Sequence, residues 1–333
     1  MTVWRGAIAE SRHRLQAAVV DAAGRRVLET EAPDLVTTFR SSAKPFQLVP
    51  LVERGHADRF RFEEADLAVM AASHTGSAEH VARVRGILAR LSLPESALAC
   101  GYHEPLDPAS LDLVRRNPGQ RSPVYNNCSG KHAGMLCLAL SEGWPTQGYE
   151  RAEHPVQQLM RRTVAEVCGL APESLGVAVD GCSVQVFALP LEAMARGYAA
   201  LASARPEGGA RARALDRIRR AMMAYPRLTA GEGRPASELM EAAPGVVVAK
   251  GGAEGLECTG LPEHGLGIAV KAEDGAARAV GPAMGAVLRQ LGALSDAARE
   301  RLAPWVRPVV RNVAGLEVGA IEAQLKLMET ATS

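Results

Sequence analysis

Aromatic side chains are scarce in this 333-residue chain: Phe, Trp and Tyr together make up 4% of it. That argues against base-stacking platforms for nucleic acid and against aromatic faces for sugars. A dominant charge is missing too. Lys and Arg total 38 against 37 for Asp and Glu, a formal net charge of +1, so no field draws in nucleic acid or an anionic membrane surface. No apolar run approaches the ~20 residues of a membrane-spanning helix. The opening MTVWRGAIAESRHR mixes charges into its apolar residues and lacks the continuous core of a secretory signal. These absences predict a cytoplasmic protein, with no nucleic acid and no membrane among its partners. Its six cysteines (100, 128, 137, 168, 182 and 258) are then expected as reduced thiols. They form no Cys-x-x-Cys pair, which excludes a zinc ribbon or a thioredoxin-type motif, and no phosphate loop, dinucleotide fingerprint or His-x-x-x-His pair is present.

What is there is ordinary for a globular protein: 47% hydrophobic and 23% charged residues, in a chain long enough for a substantial core. The stretches TVWRGAIAE, RLQAAVVD and RVLET alternate as strands near the amino terminus. Towards the other end, GLGIAVKA, the turn EDG and AARAV predict a hairpin, and PAMGAVLRQLG reads as a helix. Between these ends helices dominate. Ser77 is expected to cap a helix reaching Leu91, Asp107-Pro108 to open a second, and His154-Pro155 a third. ARARALDRIRRAMMAY gives a fourth, whose arginines form a solvated face. The predicted class is therefore α/β: an antiparallel sheet built from N- and C-terminal strands, flanked by helices, with a helical insertion. It is read as a single discontinuous domain over residues 1–333.

Five short islands carry chemistry. In RSSAKPFQ, Ser41 and Lys44 are three apart and share one helical face, whereas Ser42 points away. A serine hydroxyl needs a base, and lysine serves only when burial or a neighbouring cation makes the neutral amine accessible. Pro45 suits a first helical turn, which puts Ser41 near a helix N-terminus. In AASHTGSAEH an apolar segment ends at Ser73, with Ser77 as cap of the next helix. In YNNCSGKHAGML, Cys128, Lys131 and His132 crowd around a glycine, open to substrate, metal or oxyanion roles or to mutual satisfaction. In VAVDGCSVQVFALPL a short apolar strand ends in Asp180, Gly181 and Cys182, either an anchor for a cationic group or a turn. In GVVVAKGGAEG, Lys250 follows buried-looking residues and meets glycines that admit close backbone approach.

Taken together, RSSAKPFQ, SHTGSAEH, NNCSGKHAGML, DGCSVQVFALPL and AKGGAEG resemble the L-asparaginase II family, in order and over nearly the whole chain. The resemblance implies a fold like that of serine β-lactamases and serine-dependent glutaminases, and hydrolysis of L-asparagine to L-aspartate and ammonia. It implies two Ser-Lys pairs, Ser41 with Lys44 and Ser73 with Lys250. It places zinc on Cys128, Lys131 and Cys182, aiding substrate binding, and it puts Arg40 and Asp180, with His132 as a weaker match, against the substrate. It also implies a homodimer. Ser41 is expected to attack, activated by Lys44, while Ser73 and Lys250 relay protons; the sequence alone leaves the reverse order open. A glutaminase, a β-lactam-directed acyl-serine hydrolase and a non-catalytic zinc or amino-acid binding protein remain as alternatives.

Overall fold

The computed structural model describes residues 1–32 and 34–329. These divide into two compact units, one formed by Met1–Ser42, Leu189–Ser203 and Glu238–Ser333, the other by Ala43–Ala188 and Ala204–Ser237.

The first unit is built on a six-stranded antiparallel sheet. Its strands run in the spatial order Met328–Glu329, Arg26–Glu29, Leu15–Val20, Leu266–Ala272, Leu256–Leu261 and Val248–Gly252. Leu15–Val20 reads LQAAVV and is buried throughout, the pattern of a strand covered on both faces. It pairs with Leu266–Ala272 in the register Val20 to Gly267, so strands from opposite ends of the chain are neighbours, as expected. A second antiparallel sheet joins Val309–Arg311, Glu317–Glu322, Thr2–Arg5 and Ile8–Arg12. TVWRGAIAE is thus two strands and not one, because Gly6 takes φ 54° and turns the chain back.

The hairpin expected from EDG does not form. AARAV instead enters a 3-10 turn, Ala277–Ala279, that runs into the helix Val280–Gln290. Alanine-rich sequence favours helix, Pro282 is tolerated in a first turn, and the Asp274 carboxylate accepts the Ala276 N–H at 3.1 Å and redirects the chain. The strand Leu266–Ala272 finds its partners in Leu15–Val20 and Leu256–Leu261.

The helix Leu191–Ser203 packs on this sheet and buries Leu191, Met194, Tyr198 and Leu201, each contributing about 2 kcal/mol of apolar transfer. The approach is close at Gly267. A Cβ built there lies 2.0 Å from the Ala195 carbonyl oxygen and 2.2 Å from the Ala199 nitrogen.

The second unit is largely helical. Ser77 caps Ala78–Arg90 by accepting from the His80 N–H, and Val81, Val84, Ile87 and Leu88 are buried. Asp107 caps Pro108–Arg116 through the Ser110 N–H at 2.8 Å, and His154 caps Pro155–Val167 through the Val156 N–H at 3.2 Å. The arginine-rich segment is the helix Gly209–Ala224, whose outer charges are paired, Arg211 with Glu53 and Arg217 with Asp58. The helix Ser129–Ser141 is buried from Ser129 through Ala139, and Gly130 lets it touch the chain at Val69: a Cβ there lies 2.2 Å from the Val69 carbonyl oxygen. A two-stranded hairpin, Gly176–Val179 with Gln185–Pro190, completes the unit. Among the described residues no helix is long and apolar enough to cross a membrane, and all six cysteines are buried and free.

Gly267→Ala is expected to destabilise the protein by about 3 kcal/mol, since the clash is with backbone and cannot be relieved by a rotamer change. Equilibrium urea unfolding reads the loss directly.

Candidate active site

Lys44 opens the helix Lys44–Glu53, with Pro45 in its first turn as expected. The side chain is 1% exposed. Its Nζ donates to the Ala72 carbonyl at 2.6 Å and approaches the Ser73 Oγ at 2.8 Å and the Asn127 carbonyl at 3.4 Å. Burial pushes this amine below the ordinary lysine value; the Cys128 thiolate opposes that shift and Lys131 adds to it. In the neutral form the two amine hydrogens match the Ala72 carbonyl and Ser73 Oγ, leaving the lone pair as a proton acceptor.

The groups around Lys44 are held in turn. Ser73 N–H donates to the Thr229 carbonyl at 3.1 Å, and His74 N–H to the Asn127 carbonyl at 3.2 Å. Asn127 N–H donates to His103 Nε2 at 2.9 Å. His74 is fully buried, and that burial, then His80 and Lys44, holds it well below the usual histidine value. Gly76 N–H donates to its Nδ1 at 3.1 Å, so its Nε2 carries the proton and donates to Ser129 Oγ at 2.8 Å. Ser129 passes its own proton to the Val124 carbonyl at 2.8 Å.

Beside Lys44 lies a sulfur and nitrogen cluster. Lys131 Nζ donates to Cys182 Sγ at 3.0 Å, and Cys182 Sγ lies 3.7 Å from Asp180 Oδ2. Cys182 sits in a turn closed by the Ser183 N–H on the Asp180 carbonyl at 2.9 Å, with Ser183 at φ 75°. The hydrogen bond from Cys182, helped by Lys44 and Lys131, holds the Cys128 thiol well below its usual value, while the same shared proton and burial push Cys182 up. Cys128 also precedes the helix Ser129–Ser141 as its N-cap, where a thiolate is favoured. Lys131 loses from burial but gains more from Cys128 and Cys182, so its amine is raised and stays charged. Without metal, the two sulfurs and the amine of this cluster share protons.

Two sulfurs and an amine converging in a buried place fit zinc, provided two protons leave. Among the described residues no three His, Cys, Asp or Glu side chains form a metal-holding group; this trio contains a lysine. His132, on the same helix, is fully buried and lies with Nδ1 2.6 Å from Tyr149 Oη. Tyr149 Oη accepts the Ala99 N–H at 2.9 Å, so its own proton goes to His132.

In the first unit, Arg40 and Ser41 lie in the 3-10 turn Arg40–Ala43, which runs directly into the Lys44 helix. Arg40 takes φ 44°, a left-handed conformation that costs a non-glycine residue about 1 kcal/mol. Ser41 is half-buried. Lys250 is 1% exposed in the strand Val248–Gly252, opposite Cys258, and its Nζ donates to the Gly251 carbonyl at 2.9 Å.

Within its unit Lys44 meets Ser73, a pairing that sequence spacing does not show. Sequence reasoning also missed Asn127, His103 and Tyr149. Asn127 acts through its backbone, and no side-chain pattern reports that; Tyr149 stands apart from every island.

A family model described as L-asparaginase II matches residues 1–323. No curated protein matches the chain. Solved structures of Mglu are similar to it. One has a TM-score of 0.47 at 16% identity, covering 87% of this chain and 70% of its own. Mglu in its tris and glutamate form gives 0.48 at 16% identity, covering 86% and 61%, and the native form gives 0.46 at 18%, covering 86% and 66%. The chain thus spans under two thirds of those last two.

In metal-free protein, a thiolate on Cys128 is expected near neutral pH, visible as ultraviolet absorbance lost in Cys128→Ser. Lys131→Met removes a stabilising cation, so the thiolate midpoint must move to higher pH.

Proposed function

The chain belongs to the L-asparaginase II family, and on that premise we propose that it hydrolyses the side-chain amide of L-asparagine to L-aspartate and ammonia. Membership supports amide hydrolysis as the reaction class. The observation that carries the finer reading is the buried Lys44 amine, 2.8 Å from the Ser73 hydroxyl and depressed by its surroundings.

Amide hydrolysis needs a nucleophile, a base and an acid for the departing ammonia. In this reading Ser41 attacks the amide carbon. Lys44, three residues on, takes the hydroxyl proton as the neutral amine. Ser73, already hydrogen-bonded to Lys44, and Lys250 pass a proton to the leaving nitrogen. The resulting acyl-serine is then hydrolysed by water. Arg40 and Asp180 offer opposite charges to the α-carboxylate and α-ammonium of a free amino acid. His132, with Nδ1 engaged by Tyr149, offers an Nε2–H donor and not an acceptor.

Cys128, Lys131 and Cys182 would hold zinc once the shared protons have left. The bound ion would supply a positive centre that orients the substrate. A homodimer belongs to the same reading and rests on the resemblance.

Ammonia release is expected from asparagine in preference to glutamine, with no turnover of a chromogenic β-lactam. Ser41→Ala should abolish the acyl adduct seen by mass spectrometry. Ser73→Ala should keep it while kcat falls about a hundredfold, the scale of one proton-transfer catalyst. An adduct formed normally by Ser41→Ala reverses the two serines. Because the base is an uncharged amine, kcat/KM should rise with pH and level off below the range of a free lysine.

Zinc binding should release ~2 protons, from Cys182 and Lys131, so affinity must increase with pH. Calorimetry in buffers of different ionisation enthalpy counts them, and chelation should raise KM more than it lowers kcat.

A further inference from the structure

Ser42, the hydroxyl set aside by its spacing from Lys44, is fully buried in the first unit. Its Oγ donates to the Lys250 carbonyl at 2.8 Å. Its own carbonyl accepts the Tyr198 Oη hydrogen, also at 2.8 Å. Tyr198 belongs to the helix Leu191–Ser203 and is itself wholly buried. It meets Phe39 edge-on, ring centres 6.4 Å apart. Ser42 N–H closes the turn on the Phe39 carbonyl at 3.1 Å. Space for the hydroxyl is left by Gly252, where a Cβ would stand 3.1 Å from Ser42 Oγ.

Phe39 and Ser42 are therefore both pinned, and Arg40 and Ser41 are the residues bracketed between them. Arg40 holds its left-handed φ of 44° inside that bracket. A strained conformation persists only where the surroundings over-determine it, and the Tyr198 and Ser42 bonds hold the turn on the carboxyl side of Arg40. The same Ser42 hydroxyl grips the backbone of Lys250.

We propose that Ser42 is a positioning residue, fixing the turn that presents Ser41 and tying it to the strand that carries Lys250. This rests on the reading of Ser41 as a reactive hydroxyl. Loss of the Ser42 hydroxyl releases the Lys250 backbone and lets Arg40 relax, so Ser41 spends less time in its reactive orientation. Arg40, which the same reading sets against the substrate, relaxes with the turn, so KM is expected to rise while kcat falls.

The test is Ser42→Ala, with Tyr198→Phe as a milder companion that keeps the Ser42 hydroxyl and unpins only its carbonyl. Two measurements are made on each variant: asparagine turnover per folded protein, and the separate rates at which an aryl phosphonate labels Ser41 and Ser73, read by peptide mass spectrometry. For Ser42→Ala, kcat should fall at least tenfold, a rise in KM reporting the release of Arg40, and labelling should slow at Ser41 while Ser73 keeps its rate. Tyr198→Phe should slow Ser41 severalfold, and it carries the comparison if Ser42→Ala does not fold. Equal slowing at both serines, or kcat within twofold of the parent, overturns the proposal. Should the parent protein release no ammonia yet show selective slowing at Ser41, the positioning role stands and the asparaginase reading falls.

Discussion

The proposed chemistry depends on an amine kept out of water. A lysine nitrogen in solution is charged and useless as a base; sealed among carbonyls and a hydroxyl it is pushed toward the neutral form, because burial penalises the ammonium more than the amine. Lys44 meets that condition with 1% exposure and a hydroxyl at 2.8 Å. Its acceptors are mainly backbone, so the geometry comes from how the chain segments before Ser73 and Cys128 are anchored. His103 on the Asn127 N–H and the proton chain from His74 through Ser129 to Val124 are such anchors.

A second constraint follows from charge. Lys131 stays protonated because it faces sulfur, while Lys44 is pushed the other way. In the proposed reading these two buried lysines take opposite tasks, one as a counter-ion and one as a proton acceptor, according to what each one touches. In that reading the proton shared by Cys128 and Cys182 competes with zinc for the two sulfurs.

Much of the fold was legible in the sequence. Caps at Ser77, Asp107 and His154 announced their helices through local chemistry that tertiary contacts did not override, and RLQAAVVD announced a strand, although the expected alternation gives way to burial throughout Leu15–Val20. AARAV was misread because an apolar stretch after a turn has no period of its own, and helix propensity decided it. At the candidate site, residue types and spacing named the candidate side chains. They did not reveal which hydroxyl lies against Lys44, since that follows from where the chain places Ala72, Ser73 and Asn127, a matter of backbone position. Ser42 illustrates the same limit: its spacing from Lys44 marked it as idle, and only its carbonyl partners give it a task.

The pairing of Leu15–Val20 with Leu266–Ala272 has a temporal side. During synthesis the amino-terminal strand leaves the ribosome roughly 250 residues ahead of its neighbour in the sheet, the slowest kind of contact to close. Both segments of the helical unit, ending at Ser237, are complete before that neighbour exists. Nascent chains therefore carry an apolar LQAAVV strand paired only on its Arg26–Glu29 side until Leu266–Ala272 emerges, and shielding its open edge until then is a burden this topology places on the cell's chaperones.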